Sequence, residues 1–133
     1  MMLPEEKEVE TLLGADAKRR YAYFIERVCE TRKVWGLYDD EGWATLCEGA
    51  STFIPLWPHP TYAERFKTGA WRAYQVKEIE LSTFLERWIP GMKRDGIGPA
   101  IFPVSEGSLA TISLDDLEAN LRCELKTASE EAG

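Results

Sequence analysis

The chain is short of the residues on which most catalytic and metal chemistry depends. It has one histidine, His59, and three cysteines, Cys29, Cys47 and Cys123, in 133 residues. The cysteines are odd in number, far apart and without a C-x-x-C pair. That spacing indicates neither a disulfide framework nor a zinc site, and three reduced thiols are expected. No serine lies in a G-x-S-x-G elbow, and no second histidine can pair with the first. No apolar run approaches the roughly 20 residues that span a bilayer. The opening Met1-Met2-Leu3-Pro4-Glu5-Glu6 is acidic where a secretory signal is basic and then apolar. Positive charge is also scarce: 16 Lys and Arg against 23 Asp and Glu leave a net charge of −7. That field repels phosphate backbones and anionic lipid. The one dense basic run, Lys18-Arg19-Arg20, reads as the solvated face of a helix. These scarcities set the first expectations: a cytoplasmic protein with no nucleic-acid or membrane partner, no metal and no cofactor.

What the chain has is aromatic mass, five each of Trp, Tyr and Phe, within a composition that is 44% hydrophobic and 29% charged. This is the make-up of one globular domain with a single core. Helical and strand periods alternate along it. A weak stripe of Val9, Leu12 and Leu13 follows Pro4 and suggests a short N-terminal helix, which Gly14 interrupts. From Asp16 as N-cap, Tyr21, Phe24, Ile25, Val28 and Cys29 recur at helical spacing. Residues 34–38 and 43–47 then flank the acidic turn Asp39-Asp40-Glu41-Gly42 as a β-hairpin. A three-residue loop, Asp40 to Gly42, would set Asp39 opposite Trp43 and put Trp35, Leu37, Trp43, Thr45 and Cys47 on one face.

Thr52 to Trp57 reads as a third strand, and its Pro55 suggests an edge or a departure from the sheet. Thr61-Tyr62-Ala63-Glu64 has capping-box spacing for a short helix. Ala73 to Leu81 reads as a strand. A helix burying Phe84, Leu85, Trp88 and Ile89 follows, and Pro90-Gly91 would stop it. Gly98 to Val104 and Leu109 to Ile112 read as further strands, before a last helix capped by Ser113 with Ile112 and Leu117 as a hydrophobic staple. The expected fold is α+β, a single domain over residues 1–133 with its core at about 16–125 and frayed ends. One mixed β-sheet of about five strands begins with the antiparallel hairpin and is flanked by about four helices.

The chemistry concentrates in Phe53-Ile54-Pro55-Leu56-Trp57-Pro58-His59-Pro60. Prolines on both sides hold Trp57 and His59 in fixed directions. An outward-facing corner of indole and imidazole would be a binding surface, and a helix N-cap at His59 is the plainer alternative. The expected binding residues are Trp35, Asp39, Trp43, Trp57, His59 and Tyr62; no catalytic set is assigned. The carboxylates of Asp39, Asp40 and Glu41 lack calcium-loop spacing and read as a solvated turn.

Val34-Trp35-Gly36-Leu37-Tyr38-Asp39 with Glu41-Gly42-Trp43-Ala44, then Pro55-Leu56-Trp57-Pro58-His59, then Phe84-Leu85-Glu86 with Trp88-Ile89-Pro90 and Asp95-Gly96, resembles the bacterial domain-of-unknown-function 2750 family. The likeness covers most of residues 17 to 121. It implies a small bacterial protein with no assigned activity and no established catalytic residues. The rhythm of hairpin, strand and helix is similar, at the level of fold, to the domain of the SseB family. The reading that results is a non-enzymatic binding or protein-interaction module whose partner is a protein or a small-molecule ligand. The alternative is a small hydrolase or transferase using His59 with an acidic partner such as Asp39. A third reading is a subunit of a homodimer that buries the aromatic corner.

Overall fold

A computed structural model describes residues 6–67, 69–104 and 111–132. Five α-helices and six strands form one α+β domain among them. Helix α1 (Glu6–Leu13) buries Val9 and Leu12. Its docking extends the core toward the N-terminus beyond the expected limit at residue 16. Helix α2 (Ala17–Thr31) starts where the Asp16 carboxylate accepts the Arg19 N–H at 2.8 Å, and it buries Phe24, Ile25, Val28 and Cys29. Asp16 and the stripe act as their residue types require: the carboxylate satisfies an orphan N–H of the first turn, and the apolar positions face inward.

The expected single five-stranded sheet is replaced by two three-stranded sheets. The first has the order β2-β1-β5, with β1 at Lys33–Asp39, β2 at Gly42–Trp43 and β5 at Gln75–Glu80, all antiparallel. The second has the order β3-β4-β6, with β3 at Leu46–Glu48, β4 at Ser51–Leu56 and β6 at Gly98–Ile101. The expected hairpin arm 43–47 is divided between them: the Ala44 N–H still bonds to the Leu37 carbonyl, after which the chain enters the second sheet. Strand β4 runs antiparallel to β3 and parallel to β6. The sheets meet at one bridge, where Trp35 and Trp57 exchange N–H···O bonds of 2.9 and 2.8 Å.

Pro55 sits in the central strand of the second sheet, but at a position where that strand is paired on one side only. Strand β3 begins at Leu46 opposite Phe53, so at Pro55 the pairing partner is Ala100 of β6 alone, and the missing N–H leaves no gap on the β3 side. Helix α3 (Pro60–Phe66) follows. Helix α4, residues 81–95, runs straight through Pro90-Gly91. Its segments Leu81–Thr83 and Ile89–Asp95 are joined by a π-helical turn at Phe84–Trp88, and Gly96 ends it with φ +70°. The wider turn accommodates a proline that cannot donate to, and would clash with, the carbonyl four residues back. Helix α5 (Leu114–Ala132) begins where the Ser113 hydroxyl accepts the Asp116 N–H at 3.1 Å, and it buries Leu117 and Leu121. Of the expected strand Leu109 to Ile112, residues 109 and 110 lie outside the described residues. Thr111 forms an isolated bridge to Ala100.

Candidate functional site

The corner at residues 57–62 folds inward, contrary to the outward display expected of it. Trp57 has no exposed surface, and its indole N–H is used internally, donating to the Pro103 carbonyl at 3.0 Å. Its ring packs 5.1 Å from Phe66. The backbone bridge to Trp35 pulls Trp57 between the two sheets, which is the physical reason the flanking prolines do not present it to solvent.

His59 is 2% exposed and is the N-cap of α3, its Nδ1 accepting the Thr61 N–H at 3.1 Å, with Pro60 as the first helical residue. The capping box expected at Thr61 therefore does not form; the imidazole does that work two residues earlier. An accepting Nδ1 assigns the ring proton to Nε2. Nε2 is buried and has no hydrogen-bond partner among the described residues. Burial lowers the pKa of His59, the nearby Arg27 cation lowers it further, and Glu8 opposes both. A neutral imidazole is the result. Tyr62, 1% exposed, donates its hydroxyl to Tyr23 Oη at 3.3 Å, and burial pushes its pKa upward. Arg27 Nε donates to the same Tyr23 oxygen at 3.2 Å, and the Arg27 guanidinium forms an ion pair with Glu8 at 3.3 Å. A polar chain thus runs from the buried tyrosine out to α1. Phe102, held at φ +51° by the Arg20 Nε bond to its carbonyl at 3.1 Å, closes the cluster 4.6 Å from Tyr62.

The hairpin supplies the partly exposed aromatics. Its loop has two residues, Asp40 and Glu41, so Asp39 pairs with Gly42 and Tyr38 with Trp43. This is one residue away from the register expected, and a slip of one moves every side chain to the other face. Trp43 accordingly shares a face with Gly36 and Tyr38, while Trp35 and Leu37 point the other way. Gly36 makes room for the indole: a Cβ there would lie 3.1 Å from Trp43 Cζ3. Trp43 meets Tyr38 edge-on at 5.2 Å and Trp88, from the π-helical turn, at 4.7 Å. Lys77 Nζ lies 4.5 Å from the Tyr38 ring centre and 5.8 Å from that of Trp43. Tyr38, Trp43 and Trp88 are half-buried and Lys77 is exposed.

Beside this patch, Tyr38, Asp39, Asp40, Ala73 and Gln75 line a hollow of about 190 Å³. Asp39 Oδ1 accepts the Glu41 N–H at 2.9 Å, closing the turn on itself. The Tyr74 hydroxyl has a raised pKa, first from desolvation and then from the charges of Asp39 and Glu41. Among the described residues no group of three His, Cys, Asp or Glu side chains is placed to hold a metal ion.

The six expected binding residues are thus divided. Trp57, His59 and Tyr62 are interior; Trp43 and Asp39 lie on and beside the exposed aromatic patch; Trp35 is half-buried on the opposite face of β1. His59 and Asp39 are not joined: Asp39 bonds to its own turn, and His59 neighbours Thr61, Tyr62, Arg27 and Glu8. Sequence reasoning passed over Tyr23, Arg27, Tyr38 and Lys77. The Tyr23–Arg27 spacing of four along a helix was the readable sign of the first pair. Tyr38 and Lys77 meet only once the register between β1 and β5 is known.

Architecture and site together define a single-domain α+β protein with a buried histidine cap and a partly exposed cluster of tyrosine and tryptophan. The profile of the family described as "Protein of unknown function (DUF2750)" matches residues 21–121, and the chain belongs to that family. No curated protein and no solved structure matches the chain. Helix α1 lies outside the matched stretch, and all six expected binding residues lie within it. Among the described residues, no helix is long and apolar enough to cross a membrane.

Proposed function

We propose that this protein is a non-enzymatic interaction module of the bacterial cytoplasm that engages a partner protein through the Tyr38–Trp43–Trp88 patch and Lys77. The observation that carries the reading is the cluster itself: three partly exposed rings joined edge-to-face, with the Lys77 cation over two of them. Aromatic residues in such groups supply a large share of binding energy at protein interfaces, and the charged rim gives orientation. Asp39 and Asp40 at the neighbouring hollow add negative charge on one side, opposite in sign to Lys77. The unpaired thiols of Cys29, Cys47 and Cys123 support a reducing compartment. A hydrolase or transferase built on His59 has less support, because its imidazole is buried and its Nδ1 is engaged in capping α3.

The test is an affinity capture with the wild type, Lys77→Glu and Trp43→Ser, each checked for retained fold by circular dichroism. A partner held by the wild type and lost from both variants supports the reading. A partner retained equally by all three folded proteins refutes it.

A further inference from the structure

We propose that the cleft between α1 and α2 binds a small molecule composed of an apolar ring or chain and a carboxylate. The cleft measures about 430 Å³ and is lined by Lys7, Glu8, Thr11 and Leu12 from α1 and by Arg19, Tyr23 and Glu26 from α2. That volume is within the range of small-molecule sites, roughly 300–1,000 Å³. The α2 residues follow i, i+4 and i+7, one stripe of the helix.

Leu12 and the Tyr23 ring form the apolar part. The Tyr23 oxygen accepts from Tyr62 and Arg27, so what it offers a ligand is its ring and its own O–H proton.

Charge selects the ligand's polar end. Glu8 is neutralised by Arg27. The same pair places Glu8 beside Arg27, toward the Glu26 end of the α2 stripe. Lys7 and Glu26 bring one charge of each sign to the lining, with no ion pair between them among the described residues. Arg19, about 10 Å from Glu26 along the helix by the rise of seven residues, has no ion-pair partner among the described residues. Its planar fork of donors fits a carboxylate in two parallel bonds. An exposed guanidinium that lines a partly apolar cleft and has no ion-pair partner among the described residues is a recogniser of anions. The cleft shares no lining residue with the aromatic patch, so the two surfaces are tested independently.

The experiment is an amide NMR titration of the full chain with 4-phenylbutyrate, 4-phenylbutylamine and 4-phenylbutanol, three probes with the same apolar body. Phenylbutyrate is expected to shift Thr11, Leu12, Arg19 and Tyr23 and to bind at least tenfold more tightly than the other two. Arg19→Gln, an exposed substitution, should cut that affinity at least tenfold with an unchanged melting temperature. Equal binding of the three probes, shifts confined to other residues, or an Arg19→Gln protein that binds phenylbutyrate as the wild type does would each overturn the proposal. None of those outcomes bears on the aromatic patch, which the Lys77→Glu and Trp43→Ser captures address separately.

Discussion

Replacing Gly36 with alanine presses directly on the contact that shapes the exposed aromatic patch. The added methyl carbon would stand 3.1 and 3.2 Å from two carbons of the Trp43 ring, where ordinary contact begins near 3.4 Å. The indole cannot simply retreat, since Trp88 meets it at 4.7 Å and Tyr38 at 5.2 Å between ring centres. Overpacking of this kind costs about 1–3 kcal/mol. If the ring swings out instead, the edge-to-face pair with Trp88, about 0.5–1.5 kcal/mol, is lost. Glycine's extra freedom in the unfolded chain returns about 0.4–1 kcal/mol in favour of alanine, because β1 is extended at this position.

The expected net loss for Gly36→Ala is about 1–2 kcal/mol, or on the order of 3–8 °C for a domain of this size. Urea unfolding followed by circular dichroism measures it, repeated in a Trp43→Leu background as a double-mutant cycle. With the indole gone, Gly36→Ala should be neutral or stabilising. A cost that is the same with and without Trp43 would refute the packing of the indole on Gly36, and with it the observed hairpin register.

Two further outcomes follow from the interior. The folded state holds His59 below its ordinary pKa, so it favours the neutral ring, while the unfolded chain takes up a proton near pH 6.5. Stability should therefore be complete above about pH 6.5 and decline as pH falls through that value toward the folded pKa. His59→Asn, which keeps a capping side chain, should flatten the dependence between about pH 5 and 7 in urea midpoints; an unchanged slope would contradict the buried neutral ring. Burial pushes the Cys29 thiol up to about 11, whereas Cys47 and Cys123 are exposed. Iodoacetamide at about pH 8 should modify two thiols in the folded protein and the third only in denaturant, as counted by mass spectrometry.

Much of the local structure was legible because it depends on neighbours in the chain. The α2 stripe, the Asp16 and Ser113 caps and the place of the hairpin follow from periodicity and turn chemistry alone. The hairpin register did not, since Gly42 fits both a bulge in a three-residue loop and the first residue of β2. Its pairing with Asp39 makes it the latter. Pro90 misled for a different reason: a π-helical turn absorbs it, and that turn is selected by the packing of Phe84 and Trp88. The corner at Trp57 was misread because its burial is decided by partners 22 and 46 residues away, Trp35 and Pro103. The chemistry at residues 57–62 was found, but its direction in space depended on contacts that sequence does not display.

The inward fold of that corner and the outward face of the aromatic patch both come down to which indoles meet solvent. Labelling the five tryptophans with 5-fluorotryptophan and adding a soluble paramagnetic agent reads this directly in the fluorine NMR spectrum, with each resonance assigned by substitution. The resonances of Trp43 and Trp88 should broaden while that of Trp57 stays sharp. A Trp57 resonance that broadens as much as that of Trp43 would contradict the inward fold of the corner and return the binding surface to it.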